Sequence, residues 1–138
     1  MAGTKRIIIA ITGATGAIYG IRALEILKEL PNVETHLILS KASHISIKYE
    51  INRTIEDIIN LADTHYNSND IAADIASGSF LVDGMIILPC SIKTMSEISC
   101  GITPNLISRA ADVCLKERRK LILSVRETPL HAGHLNIH

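Results

Sequence analysis

The feature that most constrains the fold lies near the start of the chain. There Lys5-Arg6-Ile7-Ile8-Ile9-Ala10-Ile11 runs into Thr12-Gly13-Ala14-Thr15-Gly16-Ala17-Ile18-Tyr19-Gly20. The first stretch is a nearly continuous apolar run, the pattern of a parallel strand covered on both faces. The turn that follows has almost no side-chain bulk, and it leads into an amphipathic stretch, Ile21 to Leu30, that reads as helix. Strand, small-residue turn and helix in that order let backbone N–H groups come close to a ligand. The helix start adds positive potential, so a phosphate is the natural guest.

Three further strands are predicted: Glu34–Leu39, Gly84–Leu88 and Lys120–Val125, besides Arg6–Ile11. The second has polar residues early and reads as nearer a sheet edge. Helices are predicted over Ala17–Leu30, Ala42–Glu50, Ile55–Leu61, Ile71–Ser77, Thr94–Ser99 and Asn105–Arg118, with Pro31-Asn32 stopping the first. The polar stretch Thr64–Asp70 reads as a loop. Alternating elements of this kind imply a three-layer, flavodoxin/Rossmann-like doubly wound α/β sheet with right-handed crossovers, as one domain over residues 1–138. After the fourth strand only a short loop region, His131–His138, follows. That leaves one sheet flank uncovered and reads as a C-terminal truncation or a flank that a partner covers.

Composition closes off several functions. Net charge is zero with His neutral, and no basic arm is present, which disfavours nucleic acid and anionic membranes as partners. Aromatics are 3% with no Trp, so there is no stacking platform for single strands. Ile7 to Ile11, the longest apolar run, is far too short to span a bilayer, and residues 1–6 lack the apolar region of a secretory signal, so a cytoplasmic location is expected. Cys90, Cys100 and Cys114 are too widely spaced for a zinc set and read as buried thiols. His131, His134 and His138 have only Glu127 near them among carboxylates and cysteines, so no metal is expected.

Chemistry is expected where small hydroxyl residues gather at the carboxyl ends of strands. The glycine turn departs from the strict dinucleotide fingerprint, and the second strand ends Leu39-Ser40-Lys41 rather than in an acid that would hold ribose hydroxyls. A hydroxyl and a cation suit a phosphate, which favours a mononucleotide such as FMN. Ser91 and Thr94, after the third strand, can bond that phosphate or cap the next helix. At the fourth strand's end, Arg126 and Glu127 offer a cation and a carboxyl, or a plain surface ion pair. Lys116, Arg118, Arg119 and Lys120 read mainly as a solvated helix end. Arg109 and Lys116, seven apart, share a helix face and can serve one anion.

Four segments together resemble the flavin prenyltransferase family, the UbiX-type group within the flavodoxin-like flavoproteins, which is also described as the small subunit of aromatic acid decarboxylases. They are Thr12-Gly13-Ala14-Thr15-Gly16-Ala17, Glu34 to Lys41, Asp83 to Thr94, and Arg109 to Leu130; Ser77-Gly78-Ser79-Phe80 also fits. The resemblance implies transfer of a dimethylallyl group from its monophosphate to reduced FMN without a metal, closing a fourth ring across N5 and C6. The product would serve a partner aromatic acid decarboxylase of the hydroxybenzoate type. It further implies that Gly13, Ala14 and Thr15 meet the flavin, and that Ser40, Ser91, Ile92, Lys93 and Thr94 hold the FMN and its phosphate. Arg126 would lie against the flavin or prenyl phosphate. Glu127 and Glu50 would be the acid–base candidates, and Arg109 and Lys116 would bind the prenyl phosphate. A trimer-based homo-oligomer, up to a dodecamer, is implied. Two other readings stay open: a flavoenzyme of the same superfamily that oxidatively decarboxylates a cysteinyl substrate, and a non-catalytic FMN-binding or assembly subunit.

Overall fold

Isoleucine-rich strands build the centre of the protein, and the chain visits them in an order that reverses direction once. The computed structural model describes residues 3–125. Its elements are β1 (Lys5–Ile11), α1 (Ala17–Lys28), β2 (Val33–Leu39), α2 (Lys41–Glu50), α3 (Ile55–Ile59), β3 (Thr64–Asn67), a 3₁₀ turn (Asp74–Ala76), β4 (Gly84–Cys90), α4 (Ile92–Cys100), α5 (Leu106–Lys116) and β5 (Lys120–Val125). The five strands form one parallel sheet in the order β3-β2-β1-β4-β5. The chain first winds from β1 out to β3, then returns to β4 beside β1 and continues to β5. The switch point therefore lies between β1 and β4.

Alternation along β1 divides the core in two. Ile9 and Ile11 face α1, α2 and α3, packing with Ile21, Leu24, Ile47 and Ile58. Ile8 and Ala10 face the other layer, with Met95 of α4 and Leu106, Ala110 and Cys114 of α5. The helices start where the sequence supplies caps: Ser40 and Ser91 cap α2 and α4, and reciprocal capping boxes open α3 at Thr54 and α5 at Asn105. No helix among the described residues is long and apolar enough to cross a membrane.

Three expectations change. Thr64–Asn67, expected as loop, is a strand that pairs in parallel with β2 from His36↔Thr64 to Leu39↔Asn67. Its four residues are too short and too polar to announce themselves as an apolar run. β2 is therefore interior, and β3 is the edge. The expected helix over Ile71–Ser77 contracts to the 3₁₀ turn. The predicted helix ends otherwise shift by a few residues.

The early polar residues of β2 have a physical role that an edge position does not explain. Glu34 Oε2 accepts from Arg6 Nε at 2.9 Å and lies 2.7 Å from His36 Nε2. The other ring nitrogen of His36 is 2.9 Å from the Tyr66 hydroxyl. The Arg6 guanidinium sits 4.4 Å over the Phe80 ring. Arg119 extends this cluster by donating to the carbonyls of Gly78 and Phe80, so it is a structural clamp rather than part of a solvated helix end. Hydrogen bonding to His36 holds the Glu34 carboxyl below its ordinary value; desolvation opposes it, and a lesser hydrogen bond from Arg6 adds to the lowering. A carboxylate depressed in the folded state contributes stability above its unfolded pKa, and that contribution is lost as pH falls through the folded value. Acidifying from about pH 6 to about pH 3 is therefore expected to lower the urea midpoint of the natural chain more than that of Glu34→Gln. Parallel urea melts at the two pH values measure the difference.

Candidate functional site

The carboxyl ends of β1 to β4 open onto one cleft of about 920 Å³, within the size range of small-molecule sites. Each strand contributes the residues just beyond its end. After β1 come Gly13, Ala14 and Thr15; after β2, Ser40, Lys41 and Ala42; after β3, Ser68 and Asn69; after β4, Ser91, Ile92 and Lys93. Pro104 and Asn105, at the start of α5, close the side. Among the described residues, two lysines and no acidic side chain line this cleft.

The starts of α2, α4 and α5 point into it. Ser40 Oγ accepts the Ser43 N–H at 3.0 Å, Ser91 Oγ accepts the Thr94 N–H at 3.2 Å, and Asn105 Oδ1 accepts the Ser108 N–H at 3.0 Å. These caps satisfy the third N–H of each helix. Among the described residues, no protein acceptor meets the earlier N–H groups of Lys41, Ala42, Ile92 and Lys93. Unpaired donors at helix starts, reinforced by the helix dipole and two ammonium groups, suit a phosphate dianion.

The glycine loop is held from behind by α2. Ser46 Oγ donates to the Gly13 carbonyl at 2.8 Å, and Glu50 Oε1 accepts the Gly16 N–H at 3.1 Å, one helical turn further on. Gly13 packs directly on Ala42, and a Cβ there would collide with the Ala42 Cβ and come within 3.2 Å of its carbonyl carbon. A glycine at this position is what brings the β1 loop and the α2 start into one cradle.

Of the residues expected at the site, Gly13, Ala14, Thr15, Ser40, Ser91, Ile92 and Lys93 meet in the cleft. Thr94 stands behind it: its hydroxyl accepts from Ser91 Oγ at 3.0 Å and is 8% exposed. Glu50 reaches the glycine loop without lining the cleft. Arg109, one turn into α5, does not line it either, and its buried Nε has no partner among the described residues. Lys116 ends α5, about 16 Å along the axis from Asn105, and pairs with Asp112 at 2.9 Å. Arg126, Glu127 and the histidines at 131, 134 and 138 lie outside the described residues. Thr12, Ala42, Ser68, Asn69, Pro104 and Asn105 also line the cleft and were not among the expected site residues. The signal for Ser68 and Asn69 was present, since small polar residues follow β3 as they follow β2, but it required seeing β3 as a strand.

The thiols stay out of this chemistry. Burial pushes the Cys90 thiol up to about 12 and raises that of Cys114, while Cys100 is exposed. A neutral, enclosed thiol is a poor nucleophile. Iodoacetamide at neutral pH is expected to label Cys100 in the folded chain and leave the other two unmodified, which peptide mass spectrometry reads directly. Labelling of Cys90 without denaturant would contradict this placement.

A parallel sheet with a lysine-lined cleft at its switch point defines a doubly wound α/β protein of the mononucleotide-binding class. The flavoprotein family matches residues 1–135. Flavin prenyltransferase UbiX of Escherichia coli K12 is 52% identical over 133 residues, covering 96% of this chain and 70% of that protein. Among solved structures, AnUbiX (PadA1), described in complex with FMN and dimethylallyl pyrophosphate, has a TM-score of 0.93 at 52% identity, covering 97% of this chain and 71% of that one. A dodecameric FMN-dependent UbiX-like decarboxylase from Escherichia coli O157:H7 also has a TM-score of 0.93, at 49% identity, covering 96% and 72%. The chain belongs to the UbiX family of flavin prenyltransferases.

Proposed function

We propose that the cleft binds FMN and that the protein transfers a dimethylallyl group from its monophosphate to the reduced flavin. The observation that carries this reading is the convergence of unpaired helix N–H groups and two lysines on one cleft among the described residues. When bound, reduced flavin supplies an electron-rich ring that can be alkylated.

The chain's own groups have separate tasks. The N–H groups of Lys41, Ala42, Ile92 and Lys93 hold the FMN phosphate, with Ser40 and Ser91 fixing the helix starts around it. Gly13, Ala14 and Thr15 lie against the flavin. Glu50 keeps the glycine loop in place and is an acid–base candidate together with Glu127. Arg126 supplies positive charge for the departing prenyl phosphate, and Arg109 and Lys116, which stand away from this chain's cleft, do so in the site of a neighbouring subunit. An allylic phosphate leaves readily only when its growing charge is met, and fixed cations do this without a metal.

A groove between α1 and the β4–β5 side of the sheet, lined among the described residues by Arg22, Ala23, Ile26, Leu88 and Ser124, suits contact with a second copy in a homo-oligomer. Ile26 is 52% exposed there. A trimer-based shell, up to the dodecamer described for the Escherichia coli O157:H7 relative, accommodates such a face. The modified flavin then passes to a partner aromatic acid decarboxylase in the cytoplasm.

Mass spectrometry of the flavin released after anaerobic incubation with reduced FMN and dimethylallyl monophosphate tests the reading. A flavin heavier by one prenyl unit is expected. FMN retained but unchanged would make the chain a flavin-binding subunit. Failure to retain any flavin would overturn the phosphate cradle.

A further inference from the structure

We propose that Thr12 is a positioning residue for the phosphate end of the flavin site, acting through the Ser91 turn; this rests on the flavin reading above. Thr12 follows β1 directly and is 1% exposed. Its hydroxyl donates to the Pro89 carbonyl at 2.7 Å and accepts the Ser91 N–H at 2.9 Å. Its backbone N–H reaches the same Pro89 carbonyl at 3.2 Å. The hydroxyl proton is thus committed inside the protein, and the residue works by holding a neighbour.

What it holds is set by where the sheet stops. The β1–β4 pairing ends at Ala10↔Ile87, and β4 is irregular between Ile87 and Cys90. Beyond that point no regular ladder fixes the distance between the β1 loop and the β4 loop. Thr12 bridges the gap across the switch point, joining segments 77 and 79 residues away in sequence. Ser91 caps α4, so its position sets those of the Ile92 and Lys93 N–H groups. Gly13, the next residue after Thr12, meets the start of α2. One hydroxyl therefore sets the separation of the two helix starts that face a common phosphate. Valine has the same shape but leaves the Ser91 N–H without an acceptor.

The test compares FMN with riboflavin, which lacks the phosphate, by equilibrium flavin-fluorescence titration of natural, Thr12→Val, Thr12→Ala and Thr12→Ser chains. Removing the hydroxyl is expected to cut the preference for FMN over riboflavin by about tenfold or more while riboflavin affinity stays nearly unchanged. Serine should restore the preference to within about threefold. A general loosening of the fold would weaken both ligands alike. A natural chain that prefers neither ligand would overturn the flavin-phosphate reading itself. A natural chain that prefers FMN, matched by the valine and alanine chains, would overturn the role of Thr12, as would serine failing like valine. Should neither hydroxyl-free chain fold, amide exchange in the natural protein decides. A Ser91 amide protected well beyond those of Ile92 and Lys93 supports the bridge, and one that exchanges as fast overturns it.

Discussion

A Gly13→Val chain is expected to bind FMN about a hundredfold more weakly than the natural sequence while remaining folded. The new Cβ would overlap the Ala42 Cβ and crowd the Ala42 carbonyl carbon at 3.2 Å. Neither neighbour is the far end of a flexible side chain, so relief requires the start of α2 to move away from the β1 loop. That movement withdraws the Lys41 and Ala42 N–H groups from the phosphate. A hydrogen bond to a charged group contributes about 1.5–3 kcal/mol, so losing the better part of two costs on the order of 3 kcal/mol, or roughly two decades in affinity. The glycine loop lies at the rim of the sheet and the two core clusters lie below it, so the thermal transition should shift little by comparison. Flavin-fluorescence titration with a parallel melt separates the two effects. FMN binding within tenfold of the natural chain would show that the α2 start does not grip the phosphate.

Gly20→Val should act on stability instead, by about 3 kcal/mol. Gly20 is buried on the sheet-facing side of α1. A Cβ there would run into the Leu88 carbonyl and come within 2.8 and 2.9 Å of Ile11 Cγ1 and Cδ1. The Leu88 carbonyl is main chain one residue beyond the Ala10↔Ile87 pair, and Ile11 is fully buried, so relief at either one shifts the backbone at the end of the ladder or opens the core. α1 would have to lift off, opening the cluster of Ile9, Ile11, Ile21 and Leu24. With a denaturant slope of about 2 kcal/mol per molar urea, the midpoint should fall by about 1.5 M. Gly20→Ala should fall between the two chains. An unchanged midpoint for the valine chain would mean that helix and strand are not in contact at this position.

The strands that read clearly in the sequence are those with no polar interruption. β1 and β4 are nearly pure aliphatic runs because helices cover the middle of the sheet on both faces; β5 is equally aliphatic although it ends the sheet among the described residues, with Ile122 half exposed. β3 was hidden because an edge strand of four residues buries little and carries Thr64, His65 and Asn67, which are loop residues by composition. That omission displaced β2 to the edge and left its Glu34 and His36 unexplained until Arg6, Tyr66 and Phe80 were found around them. The cleft followed the same logic. Hydroxyl and glycine clusters after three recognised strands located most of its lining. Ser68 and Asn69 depended on the unrecognised strand, and Asn105 on the packing of α5, which places the Leu106 N–H on the Ser68 carbonyl at 2.7 Å. Contacts between residues this far apart in sequence leave no local pattern.

A phosphate cradle made of peptide N–H groups has an evolutionary consequence. Every residue except proline carries that donor, so a side chain such as that of Ile92 can be exchanged while its N–H still grips, although Ala42 stays small against Gly13 and Lys41 and Lys93 add charge. Constraint moves to the residues that shape the main chain: the missing Cβ of Gly13, the caps Ser40 and Ser91, and the hydroxyl of Thr12. Lineages carrying this domain can therefore diversify the chemistry around the ligand by changing side chains at the rim, with the anchor beneath it inherited almost untouched.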